Sequence, residues 1–122
     1  MKNISVYNKM TNSERKVAKL LKKIGIKWSY EHPVFVWDEN KRPRVWAPDF
    51  YLSQFGIYIE VCGSDCFNYE YRRKIFKENN VNVIFLHVYK NELKWKNYFF
   101  IYLNKIITNW FNKYDEIKIK KI

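Results

Sequence analysis

The segment "APDFYLSQFGIYIEVCGS", residues 47 to 64, constrains the chain more than any other. It sets two carboxylates, Asp49 and Glu60, in apolar, strand-like sequence. A buried carboxylate needs a partner, a proton or a metal, so this pair is either structurally neutralised or the working part of the molecule. Read as two strands closed around Gln54 and Phe55, the segment sets Ser53 against Gly56, Leu52 against Ile57, Tyr51 against Tyr58 and Phe50 against Ile59. The same count sets Asp49 against Glu60. Period-two alternation then gathers Phe50, Leu52, Ile57, Ile59 and Val61 on one face and Asp49, Tyr51, Tyr58, Glu60 and Cys62 on the other.

Like charges directly across a ladder destabilise it unless something positive lies between them. A hard divalent cation such as Mg²⁺ suits the position, because it takes carboxylate oxygens at about 2.0 to 2.1 Å and keeps several waters. The plainer alternative is that one acid pairs with Arg44, Arg73 or Lys74 and does nothing more. Glu14 adds a third acid. It stands three residues after Thr11 in a capping-box pattern, yet it also heads the stripe Glu14, Val17, Leu21, which faces the interior.

Around this hairpin the pattern predicts an α/β domain. Val17, Leu20, Leu21 and Ile24 recur at helical spacing after Thr11, which predicts a helix over about 12–24 that stops at Gly25. "KWSYEHPVFVW" reads as a strand, "DENKRP" as a turn, "RVWAPDFYL" as the second strand and "IYIEVC" as the third. "NYEYRRKIFKEN" is helical with a basic face, and "VNVIFLHVY" is a buried strand. Phe99, Leu103, Ile106, Trp110 and Tyr114 describe an amphipathic helix over about 95–114, whose wide apolar face must cover the sheet or a second copy of the protein. The end, "DEIKIKKI", is a short strand or a basic tail. The order α, β, β, β, α, β, α is a mixed α/β domain with an antiparallel meander at its centre.

The run "SERKVAKLL", a hairpin, Pro48-Asp49, ten intervening residues and then Glu60-Val61-Cys62, followed by a helix and a strand, resembles the PD-(D/E)XK nuclease superfamily. The likeness spans about residues 11–90. "EVCGSDCFNYEYRRKIFKENNVNVIFL" is similar to small endonucleases of the very-short-patch-repair branch, and "SERKVAKLLKKIGI" to the opening helix of archaeal Holliday-junction resolvases. The resemblance implies a restriction-endonuclease-like αβββαβ core with an added C-terminal helix, and Mg²⁺-dependent hydrolysis of phosphodiester bonds in DNA, with Mn²⁺ as a substitute. It implies Asp49 and Glu60 as metal ligands and Glu14 as a helix-borne acid that helps hold the metal or its water. The departure is Cys62, where the family usually has a lysine; a thiol cannot supply that fixed charge. Arg73, Lys74 and Lys77 on the following helix are candidates for a migrated cation, with Lys74 assigned to the catalytic set. A fold that lost catalysis with its lysine, kept as a nucleic-acid-binding module, and a junction resolvase are the alternatives.

Composition bears on the partner. Lys and Arg number 23 against 12 Asp and Glu, a net charge of +11 that favours polyanions, and the ten Tyr, nine Phe and five Trp interleaved with them offer faces for bases. Arg15, Lys19, Lys22, Lys41, Arg42 and Arg44, together with Arg73 and Lys77, are candidates for phosphate contact on duplex or branched DNA. The C-terminal helix suggests a homodimer. No apolar run approaches a membrane span and no secretory signal opens the chain, so a soluble cytoplasmic protein is expected. Cys62 and Cys66 read as free thiols. With His32 and His87 they make only a poor zinc pattern, since CxxxC is not the usual ligand spacing.

Overall fold

The computed structural model of the protein describes residues 5–65 and 68–120, with 115–120 described by their backbone. Cys66 lies outside the described residues. Helix α1 (Asn12–Lys23) follows a short 3-10 helix at Val6–Lys9 and opens on the expected capping box. Thr11 Oγ1 accepts from the Glu14 N–H at 3.1 Å, and the Glu14 carboxylate accepts from the Thr11 N–H at 3.3 Å. The helix ends before Gly25, whose φ of 78° reverses the chain where a side chain would be strained.

Two expected strands are each divided in two. "KWSYEHPVFVW" becomes β1 (Ser29–Tyr30) and β2 (Val34–Trp37), because Glu31 adopts φ 54° and Pro33 follows it. "RVWAPDFYL" becomes β3 (Pro43–Trp46) and β4 (Phe50–Leu52), because Pro48 has no N–H with which to continue a ladder. The inner halves β2 and β3 pair with each other, Val34 to Trp46 through Trp37 to Pro43, as a separate two-stranded hairpin. Its turn is built on Asp38, whose Oδ1 accepts from the N–H groups of Asn40 and Arg42 and whose Oδ2 accepts from Arg44 Nε at 3.0 Å.

The main sheet has the order β1, β4, β5, β6. Strand β5 (Ile57–Cys62) pairs antiparallel with β4 in the register counted from the sequence: Phe50 to Ile59, Tyr51 to Tyr58 and Leu52 to Ile57. Gly56 closes the turn at φ 65°. Helix α2 (Glu70–Glu78) carries the chain back to β6 (Val83–His87), which lies parallel to β5 with Glu60 beside Phe85 and Cys62 beside His87. Helix α3 (Glu92–Lys120) extends the expected amphipathic helix at both ends, and its backbone runs through 115–120, where a strand or tail was the expectation. Among the described residues the fold is mixed α/β with three α-helices, the C-terminal one included. Among the described residues no helix is long and apolar enough to cross a membrane.

The two sheet faces carry two cores. Phe50, Leu52, Ile57, Ile59, Ile84 and Leu86 are buried under α1 and α3, against Val17, Leu21, Trp95, Phe99 and Leu103. Each such side chain contributes about 1.5–3 kcal/mol by leaving water. On the opposite face a smaller cluster joins Cys62 and Phe85 to Ile75 and Phe76 of α2 and Val36 of the hairpin. Helix α2 and the hairpin therefore cover part of the face on which the acids stand.

Candidate active site

Asp49 sits one residue before β4, across from Glu60 on β5. Its position follows from the break at Pro48: the ladder stops, and the side chain takes over the pairing. Asp49 Oδ2 accepts the Val61 N–H at 2.7 Å, a bond that the missing strand residue would otherwise have supplied. Burial pushes the Asp49 carboxyl up to about 7 against the lowering effect of this bond, and the charges of Glu60 and Glu14 raise it further. Glu60 is only 8% exposed, and its carboxyl is also raised, first by burial, with Arg72 pulling it back down.

Arg72 is the cation of the site, and sequence reasoning missed it. Its Nη2 donates to Glu60 Oε1 at 2.8 Å, and its guanidinium lies 4.6 Å from the centre of the Trp46 ring and 5.5 Å from that of Phe76. Its buried Nε has no acceptor among the described residues. A signal was available: Arg72 shares an i, i+3, i+4 stripe with Ile75 and Phe76, the two buried residues of α2, so it must face the sheet. Arg73, Lys74 and Lys77 are exposed, and Lys74 is not the group beside the acids, because it stands two residues from both Arg72 and Phe76, about 200° round the helix from each.

Glu14 is buried at the head of α1, but both oxygens are engaged. One completes the capping box, and Oε2 accepts from Tyr30 Oη at 2.6 Å. The tyrosine proton is held more tightly than usual, by burial and by this bond. Glu14 thus reaches the pair by its charge. Among the described residues no three His, Cys, Asp or Glu side chains converge closely enough to hold a metal ion, so the expected triad Glu14, Asp49, Glu60 is reduced to the pair.

The pair by itself suits a partly hydrated divalent ion. Asp49 Oδ1 and Glu60 Oε2 accept no hydrogen bond among the described residues, and Mg²⁺ is commonly held by one or two carboxylates, with water and phosphate oxygens completing its shell.

Cys62 shares the face with the acids but is fully buried in the second core, and burial pushes its thiol up to about 12. It is neutral packing, unable to replace a lysine. The remaining face residues form an aromatic strip: Tyr51 and Tyr58 rings lie 4.6 Å apart, and His32 stacks on Tyr51 at 4.8 Å. His32 and Cys62 are thus engaged separately, and His87 Nδ1 meets Tyr89 Oη at 3.2 Å. The phosphate candidates are dispersed over three elements. Arg15, bonded to the Tyr7 carbonyl, and Lys19 lie on α1, Arg42 and Arg44 on the hairpin, and Arg73 and Lys77 on α2.

Comparison with protein-family models, with curated proteins and with solved structures finds no match to this chain.

Proposed function

We propose that the protein is a divalent-metal-dependent endonuclease of PD-(D/E)XK type that hydrolyses phosphodiester bonds in DNA. The observation that carries this reading is the pair Asp49, half-buried, and Glu60, buried, which face each other at the end of the β4–β5 hairpin, each with an oxygen that accepts no hydrogen bond among the described residues and with a proton affinity raised by desolvation. The order of elements supports it: α1, the antiparallel strands β1, β4 and β5, then α2 and the parallel strand β6 follow the αβββαβ pattern, with β2–β3 as an added hairpin.

Asp49 and Glu60 would hold Mg²⁺ or Mn²⁺, which when bound polarises a phosphoryl oxygen and lowers the pKa of a coordinated water. Arg72 does what the absent lysine would do. It is fixed by Glu60 and by the face of Trp46, so its charge is held beside the pair. Glu14 adds negative charge that favours cation binding at the pair. The net charge of +11 draws the DNA backbone in. The exposed rings of Trp110, Phe111 and Tyr114 on α3 favour a homodimer through that helix.

One observation favours a second reading. With Cys62 buried and neutral and Glu60 paired to Arg72, the fold could hold nucleic acid without cutting it. Incubation of supercoiled plasmid and of a labelled four-way junction with Mg²⁺, Mn²⁺ or EDTA separates the readings. Divalent-dependent nicking lost in Glu60→Ala supports the nuclease, junction preference narrows it to a resolvase, and salt-sensitive binding without any cutting leaves the binding module.

A further inference from the structure

A cleft of about 340 Å³ opens between α2, β6 and the first turns of α3, within the size range of clefts that take small organic groups. Its floor is apolar, made by Phe85 and Trp95, both buried. Its rim is cationic: Arg73 from α2, Lys90 from the β6–α3 turn and Lys94 from α3 line it, and no acid among the described residues does. The ion pairs of the described residues are Arg44 with Asp38, Arg72 with Glu60 and Lys96 with Glu92, so none of the rim cations is spent on one. Tyr98, 50% exposed, forms one wall and offers its ring to an incoming group. Arg73 is held at the edge with its guanidinium 5.0 Å from the centre of the Phe85 ring.

The cleft communicates with the acids through adjacent residues. Phe85 lies beside Glu60 in the β5–β6 register, and consecutive residues of α2 serve the two places, Arg72 the acid and Arg73 the cleft. His87, at the end of β6, is held below its ordinary pKa by burial and by the neighbouring Lys90 and Arg73, so it lines the cleft as a neutral ring near pH 7.

We infer that this cleft binds one unpaired nucleotide of a nucleic-acid strand, its base against Tyr98 over the Phe85–Trp95 floor and its phosphate on Arg73, Lys90 and Lys94. An anion with a flat apolar body matches an apolar floor under a cationic rim, and a base inside a duplex presents no such free face. The protein therefore prefers a strand with an unpaired nucleotide next to the site. This rests on its acting on nucleic acid and not on its cutting it.

Fluorescence anisotropy in EDTA tests the inference, with a short labelled oligothymidylate, a blunt hairpin duplex and thymidine monophosphate as competitor. The expected result is tighter binding of the single strand than of the duplex. Tyr98→Ala should weaken the single strand about tenfold and leave the duplex unchanged, whereas Tyr98→Phe should keep wild-type affinity. Joint Lys90→Ala and Lys94→Ala should reduce the salt slope for the single strand by about 1.4. Equal affinity for both forms, or a Tyr98→Ala loss shared equally by both, would overturn the cleft while leaving a nucleic-acid-binding protein. Displacement of the strand by the monophosphate at equal affinity would make the ligand a free nucleotide and also overturn it. A Tyr98-dependent preference in a protein that never nicks DNA would support the cleft and count only against the nuclease.

Discussion

Asp49 is the residue on which the site turns, and its proton affinity has a measurable consequence. Its carboxyl is raised from 3.8 to about 7 in the folded protein. A group raised on folding contributes stability that is complete below its unfolded pKa and lost as pH rises through its folded pKa. The metal-free protein should therefore lose stability between about pH 4 and pH 7 on account of this one side chain. Asp49→Asn keeps an oxygen for the Val61 N–H and removes the charge. Thermal melts in EDTA should show the variant more stable than wild type by at least about 1 kcal/mol near pH 8 and equal to it near pH 4. A wild-type advantage at both pH values would mean that Asp49 is ionised at no cost. Arg72 behaves oppositely: Arg72→Ala leaves Glu60 buried and unpaired, at a cost of about 2 kcal/mol near pH 8 that shrinks as Glu60 takes a proton at lower pH. Denaturant titrations at two pH values check this.

At the scale of elements, β5 joins the two cores and the site. Its residue 62 tests the departure from the nuclease pattern directly. Cys62 is fully enclosed with Val36, Ile75, Phe76 and Phe85. Placing there the lysine that the proposed nuclease reading would expect, by Cys62→Lys, should not improve the protein. It buries an ammonium among apolar side chains and should destabilise the fold by more than about 3 kcal/mol, whereas Cys62→Ala should cost about 1 kcal/mol and leave nicking intact. Equilibrium unfolding and nicking of the two variants decide it.

The β4–β5 register was legible from residue identities alone, because period-two alternation and a short turn leave one count that puts Phe50, Leu52, Ile57 and Ile59 inside. Helix α1 was legible for the same kind of reason, from its cap and its stripe. The divided strands were not, because Pro33 and Pro48 were counted as strand residues although each removes a ladder donor. That division is what frees β2–β3 to fold over α2 and bring Trp46 onto Arg72. Arg72 was passed over for its neighbours because charge alone does not distinguish the basic residues of α2; their phase relative to Ile75 and Phe76 does.

Over the whole molecule, the charge of +11 and the exposed face of α3 set what the protein meets in solution. DNA binding should weaken steeply with salt, with a log–log slope of about −0.9 for each phosphate neutralised on a duplex. Because Arg15 and Lys19, Arg42 and Arg44, and Arg73 and Lys77 stand on three separate elements, neutralising one pair should lower that slope by about 1.8 without abolishing binding. The central claim is that Asp49 and Glu60 form a metal-dependent cleaving site, and the rate of plasmid nicking as a function of pH with Mg²⁺ tests it most directly. The expected result is nicking that requires Mg²⁺, rises as pH passes about 7 because Asp49 must lose its proton to bind the cation, and disappears in Asp49→Ala. Nicking that persists in Asp49→Ala, or DNA that is bound at every pH and never cut by the wild-type protein, would contradict it.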